Sequence, residues 1–184
     1  SDGLAWTDVR PATRAAWERA AKRIGLATDR PKDVIDAEDV VDVLNDLLES
    51  ARDGEYGIHA CAEHAESGQL NGIFQRHSRE CAAAAVELEH EIRRLNGDPA
   101  QGGTVAGALH RGWVSVKTAL STRDDKAVLE ECERGEDAAV ARYRKALKAT
   151  LPADVRALVE RQAQGAQRNH DEVRALRDGF SPRP

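Results

Sequence analysis

One phrase occurs twice in this chain. Leu48-Glu49-Ser50-Ala51-Arg52-Asp53-Gly54-Glu55 returns 81 positions later as Leu129-Glu130-Glu131-Cys132-Glu133-Arg134-Gly135-Glu136. In each copy a glycine followed by a glutamate interrupts an otherwise helical apolar pattern. Glycine inside a helix costs about 1 kcal/mol relative to alanine, and a carboxylate on the apolar stripe must find a partner. Two helices with the same local defect point to a duplicated helical hairpin that brings two acidic side chains into one bundle core.

The rest of the chain agrees with an all-helical domain. Its 184 residues are 41% hydrophobic but only 4% aromatic, and the abundant Ala, Leu, Glu and Arg are strong helix formers. No run approaches the roughly 18 apolar residues of a membrane span, and no charged-then-apolar leader opens the sequence. Methionine is absent even at position 1, so the sequence reads as a processed product or an excised fragment. The 32 acidic and 27 basic residues, a formal charge of -5, are intermixed along the helices and leave no basic patch for nucleic acid. Cys61, Cys81 and Cys132 are odd in number and lack CxxC spacing, which favours a reducing compartment, the cytoplasm, over a disulfide framework.

Residues 1–37 read as an N-terminal amphipathic helix and linker. Thr7 is the candidate cap, Trp6, Val9, Ala16, Trp17, Ala20 and Ile24 form the apolar line, and Pro31 sits in the linker. That helix is expected to dock on the bundle, on a second subunit or on another protein. The main domain spans 38–178, with a disordered tail over 179–184. Helices are expected at about 38–65, from 69 to 95, from 104 to 120, at 125–149 and from 153 to 178. Ser67-Gly68 and Thr150-Leu151-Pro152 supply the two tight turns, and Asn96-Gly97-Asp98-Pro99 with Gly102-Gly103 ends the second helix. Two hairpins joined by a spanning segment make the plan of a ferritin-like four-helix bundle with one long crossover.

Helical rise then sets the levels. At 1.5 Å per residue, Glu55 lies about 18 Å from the first turn and Glu136 about 22 Å from the second, at the opposite end of a bundle about 40 Å long. Both glutamates reach the same height. His77 and Glu80 fall within about 3 Å of it, and Gln162 and Asn169 bracket it by about 5 Å. The middle of the core is expected to be polar.

Leu44-Asn45-Asp46-Leu47, Arg52-Asp53-Gly54-Glu55, Gly107-Ala108-Leu109-His110-Arg111-Gly112-Trp113 and Glu131-Cys132-Glu133-Arg134-Gly135-Glu136-Asp137 carry a resemblance. The run from Leu44 to Asp178 resembles the domain-of-unknown-function 2383 family of ferritin-like bundle proteins. The resemblance implies a ferritin-like fold in a bacterial protein and assigns no reaction, substrate or metal.

Metal-binding members of the broader ferritin-like group hold two ions with a Glu from each of two helices and a Glu-x-x-His from each of the others. Glu55 and Glu136 look like the single glutamates. On the second helix the order is reversed, His77-x-x-Glu80, and the literal Glu87-x-x-His90 lies some 11–15 Å further along. The last helix offers Gln162 and Asn169, with His170 at the flank. Two readings stay open. In the first, Glu55 and Glu136 are buried acids satisfied by His77, Gln162, Asn169 or Tyr143 in a structural or stress-associated bundle that forms a homo-oligomer, a dimer. In the second, Glu55, His77, Glu80 and Glu136 hold iron or manganese in an oxidoreductase. Acyl transfer and nucleotide binding lack support, for there is no nucleophile elbow and no glycine-rich loop after a strand.

Overall fold

A computed structural model describes residues 36–101 and 124–180. The expected N-terminal helix, the segment 104–120 and the end of the tail lie outside these residues. The described residues form four helices in antiparallel pairs: α1, Ala37–His64; α2, Gly68–Arg94; α3, Asp125–Ala146; and α4, Ala153–Asp178. Each pair is a hairpin, and α1 packs on α3 to join the two. The α2–α4 face closes the square least tightly.

Side-chain oxygens start three of the helices. Asp36, Ser67 and Asp124 accept from the backbone N–H of Glu38, Leu70 and Lys126, satisfying donors that the first turn leaves without partners. Helix α3 ends at Ala146, three residues before its expected limit, because Leu147, Lys148 and Ala149 turn back with short-range hydrogen bonds to Tyr143, Lys145 and Ala146. At the far end of α4, Phe180 packs against the core beyond Gly179.

The hairpins are tied at both ends. Asp125, at the start of α3, accepts from the backbone N–H of Glu66 at 2.8 Å and of Ser67 at 3.1 Å in the α1–α2 turn. At the other end Lys145 pairs with Asp46 at 3.1 Å. The chain leaving α2 is pinned on α1: Asn45 accepts from the Ala100 N–H at 2.7 Å, and Arg52 donates to the Ala100 carbonyl at 2.5 Å.

The apolar interior comes in two pieces. One, toward the α3–α4 turn, gathers Leu44, Leu47, Leu48, Leu88, Ile92 and Val155. The other, toward the α1–α2 turn, gathers Ile58, Leu70, Phe74, Val128, Leu129 and Val173. Full burial of each such side chain stabilises by about 1.5–3 kcal/mol, so both pieces hold the bundle. Between them lies the level of the repeated Gly-Glu.

Helix α2 ends with Asn96 in the left-handed region, φ 57°, and the Gly97 N–H reaches back to the Ile92 carbonyl at 2.9 Å. Gly97 is required by space. A Cβ there would stand 2.6 Å and 2.7 Å from the two methyls of Val41. Gly97→Ala is expected to destabilise the bundle by about 1–3 kcal/mol, whereas Asn96→Gly, which suits the same backbone, should leave the thermal melt close to wild type.

Candidate functional site

The gap between the two apolar pieces is a cavity of about 640 Å³ lined by all four helices. Small side chains leave it empty: Gly54 and Ala51 on α1, Ala84 on α2, Gly135 and Ala139 on α3, and Gly165 and Ala166 on α4. Polar groups face the same space, among them Glu136, Tyr143, Gln162 and Asn169. A volume of this size suits a small molecule.

Beside the cavity His77 is fully buried, with a carboxylate on each ring nitrogen. Nδ1 lies 3.0 Å from Glu136 Oε1 on α3, and Nε2 lies 2.9 Å from Glu172 Oε2 on α4. A neutral imidazole carries one N–H, whereas the imidazolium donates from both nitrogens. Two ionised partners therefore select the charged ring. Burial pulls the His77 pKa down, but the hydrogen bonds it donates to Glu136 and Glu172 overcome it and leave the value above the ordinary 6.5. Burial pushes Glu172 up, while Arg76, at 2.5 Å, and His77 pull it down further, to a net value below the ordinary 4.5.

The α2–α4 face continues this pattern as a polar ladder. His77 meets Glu172, Asn169 donates to Glu80 at 2.9 Å, and Gln162 donates to Glu87 at 2.9 Å. Each pair of residue numbers sums to 249, as the register of two antiparallel helices requires. Gln162 also accepts from the Tyr143 hydroxyl at 3.0 Å, and Arg161 pairs with Glu87 at 2.9 Å. Long polar side chains bridge this face, which explains why the two helices stay apart.

The four sequence-derived candidates do not converge. Glu136 and His77 meet in the core. Glu80 is exposed and engaged by Asn169 and Arg76. Glu55, expected on the apolar line, is also exposed. At that level Gly54 takes the inward position because α1 and α2 approach there: a Cβ on Gly54 would stand 3.0 Å from Cys81 Sγ. The adjacent Glu55 is turned outward, and only its backbone carbonyl is used, accepting from Ser78 Oγ at 2.9 Å. The two copies of the repeat thus pack differently.

A dinuclear metal centre does not fit the mid-core residues. Glu55 is outside, both His77 nitrogens are hydrogen-bonded, and α4 supplies the amides of Gln162 and Asn169 with one carboxylate, Glu172, that is already held by His77 and Arg76. Glu172 was missed by the stripe analysis, although it stands one turn beyond Asn169 and opposite His77 in the antiparallel count. A second group, Glu133, Asp137 and His170, lies between α3 and α4. It escaped because its members flank the apolar lines.

The cysteines are free thiols. Burial first, then the carboxylates of Glu136, Glu80 and Glu55, pushes Cys81 up to about 12. The Cys132 thiol is raised by the hydrogen bond it gives to Cys61 and by burial. Protonated thiols are poor nucleophiles.

The signs of the shifts give a pH profile. A raised His77 pKa contributes stability that is complete below about pH 6.5 and is lost as pH climbs through the folded value. A depressed Glu172 pKa contributes stability present above about pH 4.5 and lost as pH falls through its folded value. Thermal melts should show the wild type losing stability above pH 6.5. His77→Gln should flatten that limb and lower stability at pH 6 by about 3–5 kcal/mol, the cost of leaving a buried carboxylate without its ion partner. Nitrogen NMR that found a neutral His77 ring at pH 6 would contradict the assignment.

Comparison with known proteins follows the fold. The domain of unknown function (DUF2383) matches residues 39–149, and no curated protein matches. Among solved structures, the dodecameric thioferritin of Bacteroides fragilis, a bacterioferritin-related protein, superposes with a TM-score of 0.61 at 17% identity, over 77% of this chain and 85% of that one. A two-domain protein of Anabaena variabilis with DJ-1/ThiJ/PfpI-like and ferritin-like domains superposes with a TM-score of 0.64 at 15% identity, over 90% of this chain and 52% of that one. These likenesses establish the ferritin-like fold. With the family match covering most of the bundle, the chain belongs to the DUF2383 family.

Proposed function

We propose that this protein is a non-enzymatic, ferritin-like bundle of structural or stress-associated type, whose mid-core acid–imidazole–acid network specifies the packing of its helices. The observation that carries this reading is the occupation of both His77 nitrogens by carboxylates, 3.0 Å and 2.9 Å away. Such an imidazolium has no lone pair for a metal or a substrate proton. The raised thiols remove another route to chemistry, and three free cysteines support a reducing, cytoplasmic setting.

Self-association belongs to the same proposal, with a dimer as the expected unit. The thioferritin neighbour is a dodecamer, which supports assembly through bundle faces. Among the described residues no helix is long and apolar enough to cross a membrane. Docking through the helix expected in residues 1–30 is a further part of this reading.

One observation favours the oxidoreductase alternative. His77 and Glu136 do meet, and release of Glu172 would free Nε2 for iron or manganese. Fe(II) oxidation separates the two. With the whole chain in aerobic buffer, with and without peroxide, Fe(II) should disappear no faster than in buffer alone. His77→Gln should not change that rate. Accelerated oxidation that His77→Gln or Glu136→Gln abolishes would replace the structural reading with the enzymatic one.

A further inference from the structure

We propose that Glu133, Asp137 and His170 form a site for one divalent first-row transition-metal ion in the groove between α3 and α4, separate from the mid-core network. Glu133 and Asp137 are one helical turn apart on α3 and share a face. His170 meets them from α4. One ligand atom from each of the three lies within 4.8 Å of the other two.

The histidine is oriented for this role. Its Nδ1 lies 3.0 Å from Asp171 Oδ1, and its Nε2 lies 2.9 Å from Asp137 Oδ1. Like His77, this ring has a carboxylate on each nitrogen, but here both belong to solvent-exposed side chains, Asp137 and Asp171 at 67% and 64% exposure. With the single ring proton given to Asp171, the Asp137 carboxylate is free to share an ion with the Nε2 lone pair. Two acceptors at that distance need a cation between them, a proton or a metal. Metal-bound imidazoles commonly give their other N–H to a carboxylate in this way. Two ligands at right angles on an ion with bonds of about 2.1 Å stand about 3.0 Å apart, so the Asp137–His170 spacing already suits adjacent coordination positions.

Glu133 is held in place from outside. Arg177 Nη1 binds its Oε2 at 2.5 Å, fixing the carboxylate from the end of α4. Glu133 and His170 are buried while Asp137 is exposed, so an ion has an entry path and water can complete its shell. The carboxylates of Glu133 and Asp137 offset the ion's charge, Glu133 sharing its own with Arg177. The imidazole favours zinc, copper, iron, cobalt or nickel over calcium, magnesium and manganese. His77 and Glu136 take no part, because His77 is committed to Glu136 and Glu172.

Cobalt(II) is the probe. Titrated into the full chain in chelator-treated buffer at pH 7.5, it should give a saturable visible absorption at one equivalent, displaced by Zn(II). Asp137→Asn, an exposed change that spares the fold, and His170→Gln, checked by circular dichroism, should each weaken binding tenfold or more. The exposed His90→Gln should leave it unchanged, and so should the core His77→Gln at a temperature where circular dichroism shows it fully folded. Absence of saturable binding, or wild-type affinity in both Asp137→Asn and His170→Gln, overturns the site. Loss of binding in His77→Gln but not in His170→Gln would move the ion to the mid-core and overturn the structural reading as well, whereas loss in His170→Gln alone leaves that reading intact.

Discussion

Burying an imidazolium between two carboxylates fixes the relative positions of three helices at once. His77 on α2 reaches across the bundle diagonal to Glu136 on α3 and sideways to Glu172 on α4. Taking His77 and Glu136 out of water costs several kcal/mol per ion, a cost offset by their mutual contact and by Glu172, which stays 38% exposed at the rim. Apolar side chains tolerate sliding by part of a turn; this network does not. A shift of either neighbouring helix would strand a charge in the core. The register of the bundle therefore follows from one polar contact, with the two apolar clusters supplying the bulk of the stabilisation on either side.

The same layer explains the hollow centre. Glycine and alanine line the middle of all four helices, while amides and carboxylates bridge the α2–α4 face. Small residues bring α1 and α2 close at Gly54 and Cys81, yet leave no side chains to fill the space on the far side. A bundle built this way trades central apolar packing for a cavity with a largely apolar wall and a few polar groups facing it. Cys81 and Cys132 are pushed up by burial and their neighbours, and the one central imidazole is engaged on both nitrogens, so the polar groups of this layer face one another.

Comparison with the solved neighbours fits that division. At 15–17% identity the ferritin-like fold is retained, because hairpin geometry depends on apolar period and turn position. Site chemistry depends on which few residues face inward at one level, and that is set by helix rotation. Glu55 and Glu136 show the point: they occupy the same place in a repeated phrase, and one is exposed while the other is buried. A close approach at Gly54 rotates the first out, and the partner His77 holds the second in.

The amino-acid order by itself determined the four helices of the described residues to within a few residues at their ends, their hairpin pairing and the polar level. Three- and four-residue apolar spacing, capping residues and glycine or proline at turns are local signals, and rise per residue converts position to height. His77 and Glu136 were legible as neighbours for that reason. The tertiary structure alone decided the outward rotation of Glu55, the entry of Glu172, the ladder between α2 and α4 and the meeting of Glu133, Asp137 and His170. Each of these depends on the angle at which one helix faces another, which is fixed by side-chain contacts between segments distant in the chain and is invisible to any count along a single helix.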